Sequence, residues 1–365
     1  MSLLLIDIGN TRVKWARLID GKMTPQQAAA NAGWTAADYA RRVIGKGWTS
    51  NGKGSHRSAA VEARATNASR SAPVGSAAAS TRRSARIGSR FTGTPGVSDV
   101  EAHIATGAHR PADVDAQSLV SGADRIVVSS VAGDEINRAL TEAAAKVGAP
   151  TPEFVTSERT AAGITTDYID PWRLGVDRFV AAIGAHHLSS GQPVCVVNIG
   201  TAMTVDLIDG SGRHRGGAIV PGPALMVSSL LAQTNGIRRR AKGGPDGATG
   251  MFAKTTRNAI GEGARYAAAG VIDRALEEAR FLVGTRPLVI LSGGGSVDIK
   301  PLIRSTCVSL PDLVLHGLAV WAHQTPAPPR SGIPRKQRPE THRKRRAETA
   351  SNHGPQTSRK RRPVV

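Results

Sequence analysis

Two stretches of the chain share one pattern: an apolar run, a polar turn containing glycine, and a second apolar run. In the first, residues 3–6 are apolar, the run stops at Asp7, and residues 13–18 resume it. In the second, an apolar run from residue 194 leads to an Asn-Ile-Gly-Thr turn and then to residues 204–208. Apolar runs that flank such turns predict β-hairpins. One hairpin in each half of the chain suggests two similar lobes.

Between and after the hairpins the pattern alternates between strands and helices. Residues 126–131 predict a buried strand, Asp134 begins a helix, and residues 153–156 predict another short strand, which is the alternation of an α/β fold. Further elements are predicted as helices at 36–43, 179–188, 225–233, 256–282 and 313–321, and as a strand at 287–291. We expect a glycine turn at residues 216–217 before a short strand, and a mobile loop at 244–250. Gly261, Gly263 and Gly270 are expected to let their helix pack closely.

Two other segments lack large apolar residues. Residues 48–120 are dominated by Ser, Ala, Gly, Thr and Arg, a composition that does not bury enough apolar surface to offset chain entropy. The net charge of +20 is concentrated in two regions, with about +9 in residues 41–100 and about +10 in residues 330–365. We therefore expect a near-neutral core with two basic additions. The core has an N-terminal lobe at 1–190 that carries a disordered basic insertion at about 48–120, and a C-terminal lobe at 191–325 that is followed by a disordered basic tail at 326–365. The tail lacks interleaved aromatic residues, so it predicts at most weak nucleic-acid binding.

The cellular location is predicted from sequence features that the chain lacks. No apolar run reaches the ~20 residues of a membrane-spanning helix, and the first strand stops at an acid, unlike a signal peptide. Cys195 and Cys307 lie in apolar runs and match no metal-binding or redox spacing, so we expect buried, reduced thiols. These features favour a cytoplasmic protein.

The first turn has the chemistry that phosphate binding requires. It brings together a carboxylate (Asp7), a small residue (Gly9), a hydroxyl (Thr11) and a nearby lysine (Lys14). Backbone N–H groups and lysine bind the anion, and a carboxylate binds Mg²⁺. An ordinary hairpin turn is the alternative. Neither hairpin matches the P-loop pattern or the kinase glycine loop, so those architectures are disfavoured.

A second candidate group precedes the helix predicted at 179–188. Asp177 and Arg178 follow Gly175, which places a carboxylate at a helix N-terminus beside a residue without a side chain. Such a position stabilises an anion and leaves room for a ligand. The alternative is that Asp177 only caps the helix.

Four motifs in this order resemble the type III pantothenate kinases, which belong to the acetate-kinase, sugar-kinase and actin superfamily. They are DIGNTRVKW from residue 7, TTDYIDPWRLGVDRFVAAIGAHH from 165, GTAMTVD from 200 and GGAIVPGPALMVSSLLAQT from 216. The resemblance covers roughly residues 1–20 and 124–322. It implies two actin-like, ribonuclease-H-like α/β lobes with the active site in the cleft between them. It also implies ATP-dependent phosphorylation of pantothenate to 4'-phosphopantothenate, the first step of coenzyme A biosynthesis.

The resemblance also implies site residues. Asp177 would be the base that accepts the hydroxyl proton, Arg178 would pair with the substrate carboxylate, and Asp7 would hold magnesium. The ATP-binding residues would be Asp7, Ile8, Gly9, Asn10, Thr11, Arg12, Val13, Lys14, Gly200 and Thr201. The pantothenate-binding residues would be Tyr168, Gly175, Val176, Asp177, Arg178 and Thr234. Residues 292–295 would lie at the adenosine.

The chain departs from the family at Asn198, where the family commonly has an aspartate that binds potassium or ammonium. Asparagine keeps an oxygen but loses the charge, so this cation site is expected to be weakened, with Asp206 as a possible substitute. The family shares its pocket across a homodimer, which predicts a dimer here. Two other functions remain open: a non-catalytic relative acting as a transcription accessory factor, and a kinase for another small hydroxy acid.

Overall fold

The computed structural model describes residues 1–45, 122–243 and 250–326, which form two β-sheets with helices between them and outside them. The segment predicted as disordered at 48–120, the tail after residue 326, and residues 244–249 lie outside the described residues. In the described ranges, no helix is both long and apolar enough to cross a membrane.

The first sheet is built around the first hairpin. Its order is β3-β2-β1-β5-β6, with β4 also paired to β2. The first two strands are antiparallel, whereas β5 runs parallel to β1 and β6 parallel to β5. The strands are β1 (Ser2–Ile8), β2 (Arg12–Ile19), β3 (Lys22–Met23), β4 (Gln27–Ala30), β5 (Arg125–Ser130) and β6 (Pro152–Phe154).

The second sheet repeats this topology. Its order is β13-β12-β9-β10-β11-β8-β7, so the hairpin strands β9 and β10 take the places of β1 and β2. The first two strands are again antiparallel and the crossover strand β12 is again parallel to the first. The repeat confirms the predicted two-lobed α/β fold. The strands are β7 (Thr160–Ala161), β8 (Ile164–Thr166), β9 (Val194–Ile199), β10 (Ala202–Ile208), β11 (Arg213–Pro221), β12 (Leu288–Ser292) and β13 (Val308–Ser309).

The helices form layers on and between the sheets. Helices α3 and α8 lie in the core between the two sheets, α1 and α2 pack outside the first sheet, and α6 packs outside the second. The helices are α1 (Ala36–Tyr39, continued as a π-helix at Ala40–Ile44), α2 (Asp134–Val147), α3 (Val176–Ser189), α4 (Pro223–Gln233), α5 (Asn235–Arg240), α6 (Thr256–Val283), α7 (Ser296–Ile299) and α8 (Leu313–Gln324). The lobe boundary at residue 190 stays a prediction, although β7 and β8 precede it and pair in the second sheet.

Two glycines let α3 and α8 approach closely. A Cβ on Gly317 would lie 1.9 Å from the Val180 carbonyl oxygen, and one on Gly184 would lie 2.8 Å from the Leu313 carbonyl oxygen. Any larger residue would push the helices apart, and with them the sheets on either side.

Three expectations about local structure are wrong. The glycine turn expected at 216–217 lies inside β11, opposite a register shift at Leu207 and Ile208. The glycines of α6 do not serve close packing, because a Cβ on Gly261, Gly263 or Gly270 would meet open space. Helix α3 begins at Val176, three residues earlier than expected, so it includes Asp177 and Arg178.

Candidate active site

The turn between β1 and β2 is held by main-chain contacts. The Gly9 N–H donates to the Arg12 carbonyl oxygen at 2.9 Å, and buried Asn31 donates from Nδ2 to the Gly9 carbonyl oxygen at 3.1 Å. The side chains of Ile8 and Val13 are fully buried, so a ligand would meet only their main chain. Asn31 was missed in the sequence because its partner lies 22 residues away.

Asp7 is a buried carboxylate placed opposite Lys14 in the strand register. Burial raises the pKa of Asp7 to about 6; Lys14 lowers this pKa and the charge of Asp177 raises it further. Desolvation thus outweighs the lysine, and the site carries negative charge that is not fully compensated. A cation would relieve this, and Mg²⁺ is usually bound by one or two carboxylates together with phosphate oxygens. The Asp7 carboxylate, together with phosphate oxygens of a bound nucleotide, is therefore suited to bind magnesium.

The second hairpin faces the first across the cleft. The hydroxyl oxygens of Thr11 and Thr201 lie 3.3 Å apart. Beside them a cavity of about 600 Å³ opens, a volume within the range of ligand pockets. The cavity is lined by residues of both hairpin turns, the loop after β12, and helices α4 and α6, including Arg12, Gly200, Leu225, Arg265, Gly294 and Gly295.

Asp177 lies in the first turn of α3. Its Oδ1 accepts a hydrogen bond from the Arg178 N–H at 2.9 Å, but the N-cap residue is Gly175 and no side chain caps the helix, so the alternative that Asp177 caps the helix is wrong. A Cβ on Gly175 would lie 2.7 Å from that same oxygen, so a larger residue there would displace the Asp177 carboxylate. Burial raises the pKa of Asp177 and Asp206 adds to the rise, while Arg178 lowers it. The structure thus brings Asp7 and Asp177 close enough to interact electrostatically.

Arg178 is committed to protein partners. Its Nε and Nη2 donate to the carboxylate of Asp206 at 3.0 and 2.6 Å, and its Nη1 donates to the Tyr168 hydroxyl at 2.8 Å. Arg178 and Asp206 are almost completely buried. The carboxylate of Asp206 is therefore neutralised by Arg178, which argues against Asp206 as a substitute cation ligand.

Two further residues complete this cluster, and sequence reasoning missed both. His214 Nε2 lies 2.8 Å from Asp206 Oδ1, and His214 Nδ1 lies 3.2 Å from the Thr166 hydroxyl. Both side chains are buried. A lone histidine in a strand and a threonine in another carry no local signal, because β8 and β11 become neighbours only in the sheet.

Asn198 is the second-to-last residue of β9 and lies beside the loop that follows β12. A Cβ on Gly293 would lie 2.7 Å from Asn198 Oδ1 and 2.4 Å from the Ile199 carbonyl oxygen, so only glycine fits there. Asn198 offers a neutral oxygen without a carboxylate. In the described part of the chain, no three His, Cys, Asp or Glu side chains group as metal ligands.

Thr234 follows α4, and its hydroxyl donates to the Leu230 carbonyl oxygen at 2.7 Å. Among the described residues, it makes no hydrogen bond to the cluster of Tyr168 and Arg178. Helix α4 is apolar yet has no buried residue, and Ile219 on neighbouring β11 is 61% exposed. An apolar helix without a covering layer is typical of an interaction surface.

Comparison with known proteins identifies a family. The family model for type III pantothenate kinases matches residues 78–278. A type III pantothenate kinase from Nitrosococcus oceani is 28% identical over 88% of this chain and 94% of its own length. One from Stenotrophomonas maltophilia is 36% identical over 63% of this chain and 90% of its own. A solved structure from Campylobacter jejuni, described as of the Baf family of transcriptional activators, is 14% identical over 87% of this chain and 95% of its own, with a TM-score of 0.41. A likeness that weak supports no functional conclusion.

Proposed function

Because this chain belongs to the type III pantothenate kinase family, and is therefore an ATP-dependent kinase that makes 4'-phosphopantothenate for coenzyme A biosynthesis, we propose that the reaction takes place at Asp7 and Asp177 in the cleft between its two hairpins. One observation carries this proposal: the buried carboxylate of Asp7 and the half-buried carboxylate of Asp177 come from different elements and interact electrostatically, and Asp7 lies on the strand that leads into the cavity at Thr11 and Thr201.

Asp177 acts as the base. It accepts the proton of the primary hydroxyl of pantothenate while that oxygen forms a bond to the γ-phosphorus of ATP and the bond to ADP breaks. Its Oδ1 is held by the Arg178 N–H, which fixes the carboxylate and leaves Oδ2 to face substrate. Because burial raises its pKa, the carboxylate is a better proton acceptor than an exposed aspartate.

The two hairpin turns bind the phosphates. Main-chain N–H groups of residues 8–13, the Lys14 ammonium, and Gly200 with Thr201 hold the anion from both sides. Asp7 would hold magnesium, which would neutralise charge on the phosphates when bound.

Pantothenate lies beside Tyr168 and α3, with the main chain of Gly175 and Val176 along it. Arg178 faces the substrate carboxylate with the N–H groups that Asp206 and Tyr168 leave available. Thr234 reaches the pocket from a second subunit. We therefore propose a homodimer that forms through the exposed apolar face of α4 and β11.

Three finer proposals concern the cation, the cellular location and the basic segments. The enzyme depends weakly or not at all on potassium or ammonium, since Asn198 supplies no charge. It works in the cytoplasm, in keeping with the free, buried thiols of Cys195 and Cys307. The basic segments outside the described residues bind nucleic acid at most weakly.

The test is phosphorylation of pantothenate by purified protein with ATP and magnesium, beside Asp177→Asn as the base variant and Asp134→Asn on the outer helix α2 as the matched control. We expect product from the wild type and the control and a loss of at least about 10²-fold in kcat for Asp177→Asn. No product from folded wild-type protein would favour the transcription accessory role, and turnover of another hydroxy acid alone would favour the other kinase.

A further inference from the structure

We infer that Asp206 and His214 are positioning residues that orient Arg178 so that this enzyme selects the carboxylate of pantothenate. The inference rests on the proposed function, because it assigns Arg178 to the substrate carboxylate. Neither residue touches the reacting atoms; both act through Arg178.

The guanidinium of Arg178 is used in a specific way. It has five N–H donors. The Nε and one Nη2 hydrogen go to Asp206, and one Nη1 hydrogen goes to the Tyr168 hydroxyl. One N–H remains on each Nη atom. Two N–H donors on one guanidinium can meet the two oxygens of a carboxylate.

Asp206 is fixed by its strand and by a glycine. It lies on β10, in the interior of the sheet, opposite Gly217 of β11 and Val196 of β9. A Cβ on Gly217 would lie 2.6 Å from Asp206 Oδ1 and 2.8 Å from Arg178 Nη2. The sheet thus leaves space for this ion pair and for little else.

His214 closes the cluster into a ring. The Tyr168 N–H donates to the Thr166 hydroxyl oxygen at 3.2 Å, and that hydroxyl meets His214 Nδ1. Both nitrogens of His214 have partners if Nε2 carries the proton and donates to Asp206 while Nδ1 accepts from Thr166, an assignment made from the network. The ring therefore begins at the main chain of Tyr168 and returns, through His214, Asp206 and Arg178, to its hydroxyl. It fixes the tyrosine and the guanidinium together.

Charge and alignment predict opposite results when Asp206 is removed. The Asp206 carboxylate cancels most of the charge of Arg178, so the pocket attracts a carboxylate by aligned N–H groups more than by net charge. If charge alone mattered, Asp206→Asn would bind pantothenate more tightly. If alignment matters, the same change weakens binding.

The experiment compares pantothenate with its analogue that has a primary alcohol in place of the carboxylate. The variants are Asp206→Asn, His214→Leu and His214→Gln, which keeps an N–H near Asp206; exposed His187→Leu on α3 is the control. For the first two we expect the KM of pantothenate to rise about tenfold and the preference over the analogue to fall about tenfold, with the KM of ATP within about twofold. His214→Gln should retain most of the preference.

Three outcomes would overturn the inference: an unchanged or lower KM for pantothenate, equal losses for both substrates, or no difference between Leu and Gln at position 214. If Asp206→Asn does not fold by circular dichroism, Thr166→Val takes its place, since it deletes one hydroxyl of the ring. Lack of wild-type activity would refute the proposed function instead, and is therefore distinguishable.

Discussion

The hydroxyl oxygens of Thr11 and Thr201 lie 3.3 Å apart, although the two residues lie in the turns of different hairpins, whose strands belong to different sheets. Phosphates bound between the turns would exchange this contact for bonds to charged oxygens. Thr201→Val should therefore raise the KM of ATP about tenfold, the worth of one such bond, and leave the KM of pantothenate nearly unchanged. Steady-state kinetics test this, with Thr141→Val on α2 as control. A rise in the KM of pantothenate alone would contradict it.

The function of Asp7 requires a buried carboxylate, and burying this charge lowers the stability of the folded protein. Its pKa is raised from 3.8 to about 6, so the folded state binds the proton more tightly than the unfolded state. The folded protein is therefore destabilised once pH exceeds the folded pKa, and the penalty vanishes below the unfolded pKa. Asp7→Asn should abolish activity yet raise the free energy of unfolding at pH 7.5 by about 2 to 3 kcal/mol.

Denaturant unfolding of nucleotide-free protein measures this at several pH values. The gain should shrink as pH falls from 6 to 4, and Asp134→Asn should show no such trend. For the wild type, kcat/KM for ATP should fall as pH drops through about 6, when Asp7 takes up its proton. A gain that grows toward acid pH would contradict the assignment.

Asn198 gives a gain-of-function prediction. Asn198→Asp places a carboxylate near Gly293 and restores the charge that a monovalent cation requires. We expect the wild type to respond little to potassium or ammonium and the variant to be activated severalfold. The assay compares sodium, potassium and ammonium chlorides at one ionic strength. Strong activation of the wild type would show that the asparagine oxygen suffices.

The exposed face of α4 predicts the oligomeric state. Leu230 is 39% exposed on this apolar helix, so Leu230→Glu should convert the dimer to monomer and remove most activity, because Thr234 would no longer reach the partner's pocket. Light scattering coupled to gel filtration measures the mass. Phe281→Glu, at an exposed apolar residue of α6, is the control. A monomeric wild type with full activity would refute the shared pocket.

The contact between α3 and α8 predicts a loss of stability. Gly317→Ala forces a Cβ to within 1.9 Å of the Val180 carbonyl oxygen, so unfolding free energy should fall by about 1 to 3 kcal/mol. Gly263→Ala meets open space in the interior of α6 and should gain up to about 1 kcal/mol. Chemical denaturation of both variants measures these two changes in unfolding free energy. Equal effects would show that the helix crossing tolerates a side chain.

Much of the fold was predictable because its signals are local. Both hairpins, the strand before Asp134 and most helix positions follow from apolar runs and turn residues within a few positions of each other. The mistaken turn at 216–217 shows where local signals fail. Two glycines usually mark a turn, but here they pair with β10 across a register shift, and this pairing makes them part of a strand.

The sequence by itself determined the two-lobed fold and the family, and it predicted the residues of the candidate cleft, since each motif is a continuous stretch whose turn and charges lie together in any fold. Only the tertiary structure decided which side chains meet. Thr166 reaches His214 across 48 residues, and Arg178 reaches Asp206 across 28, because sheet pairing and helix packing bring them together. The partner of Arg178 follows from burial: a charge enclosed between α3 and the second sheet requires a counter-charge there, and Asp206 lies within reach.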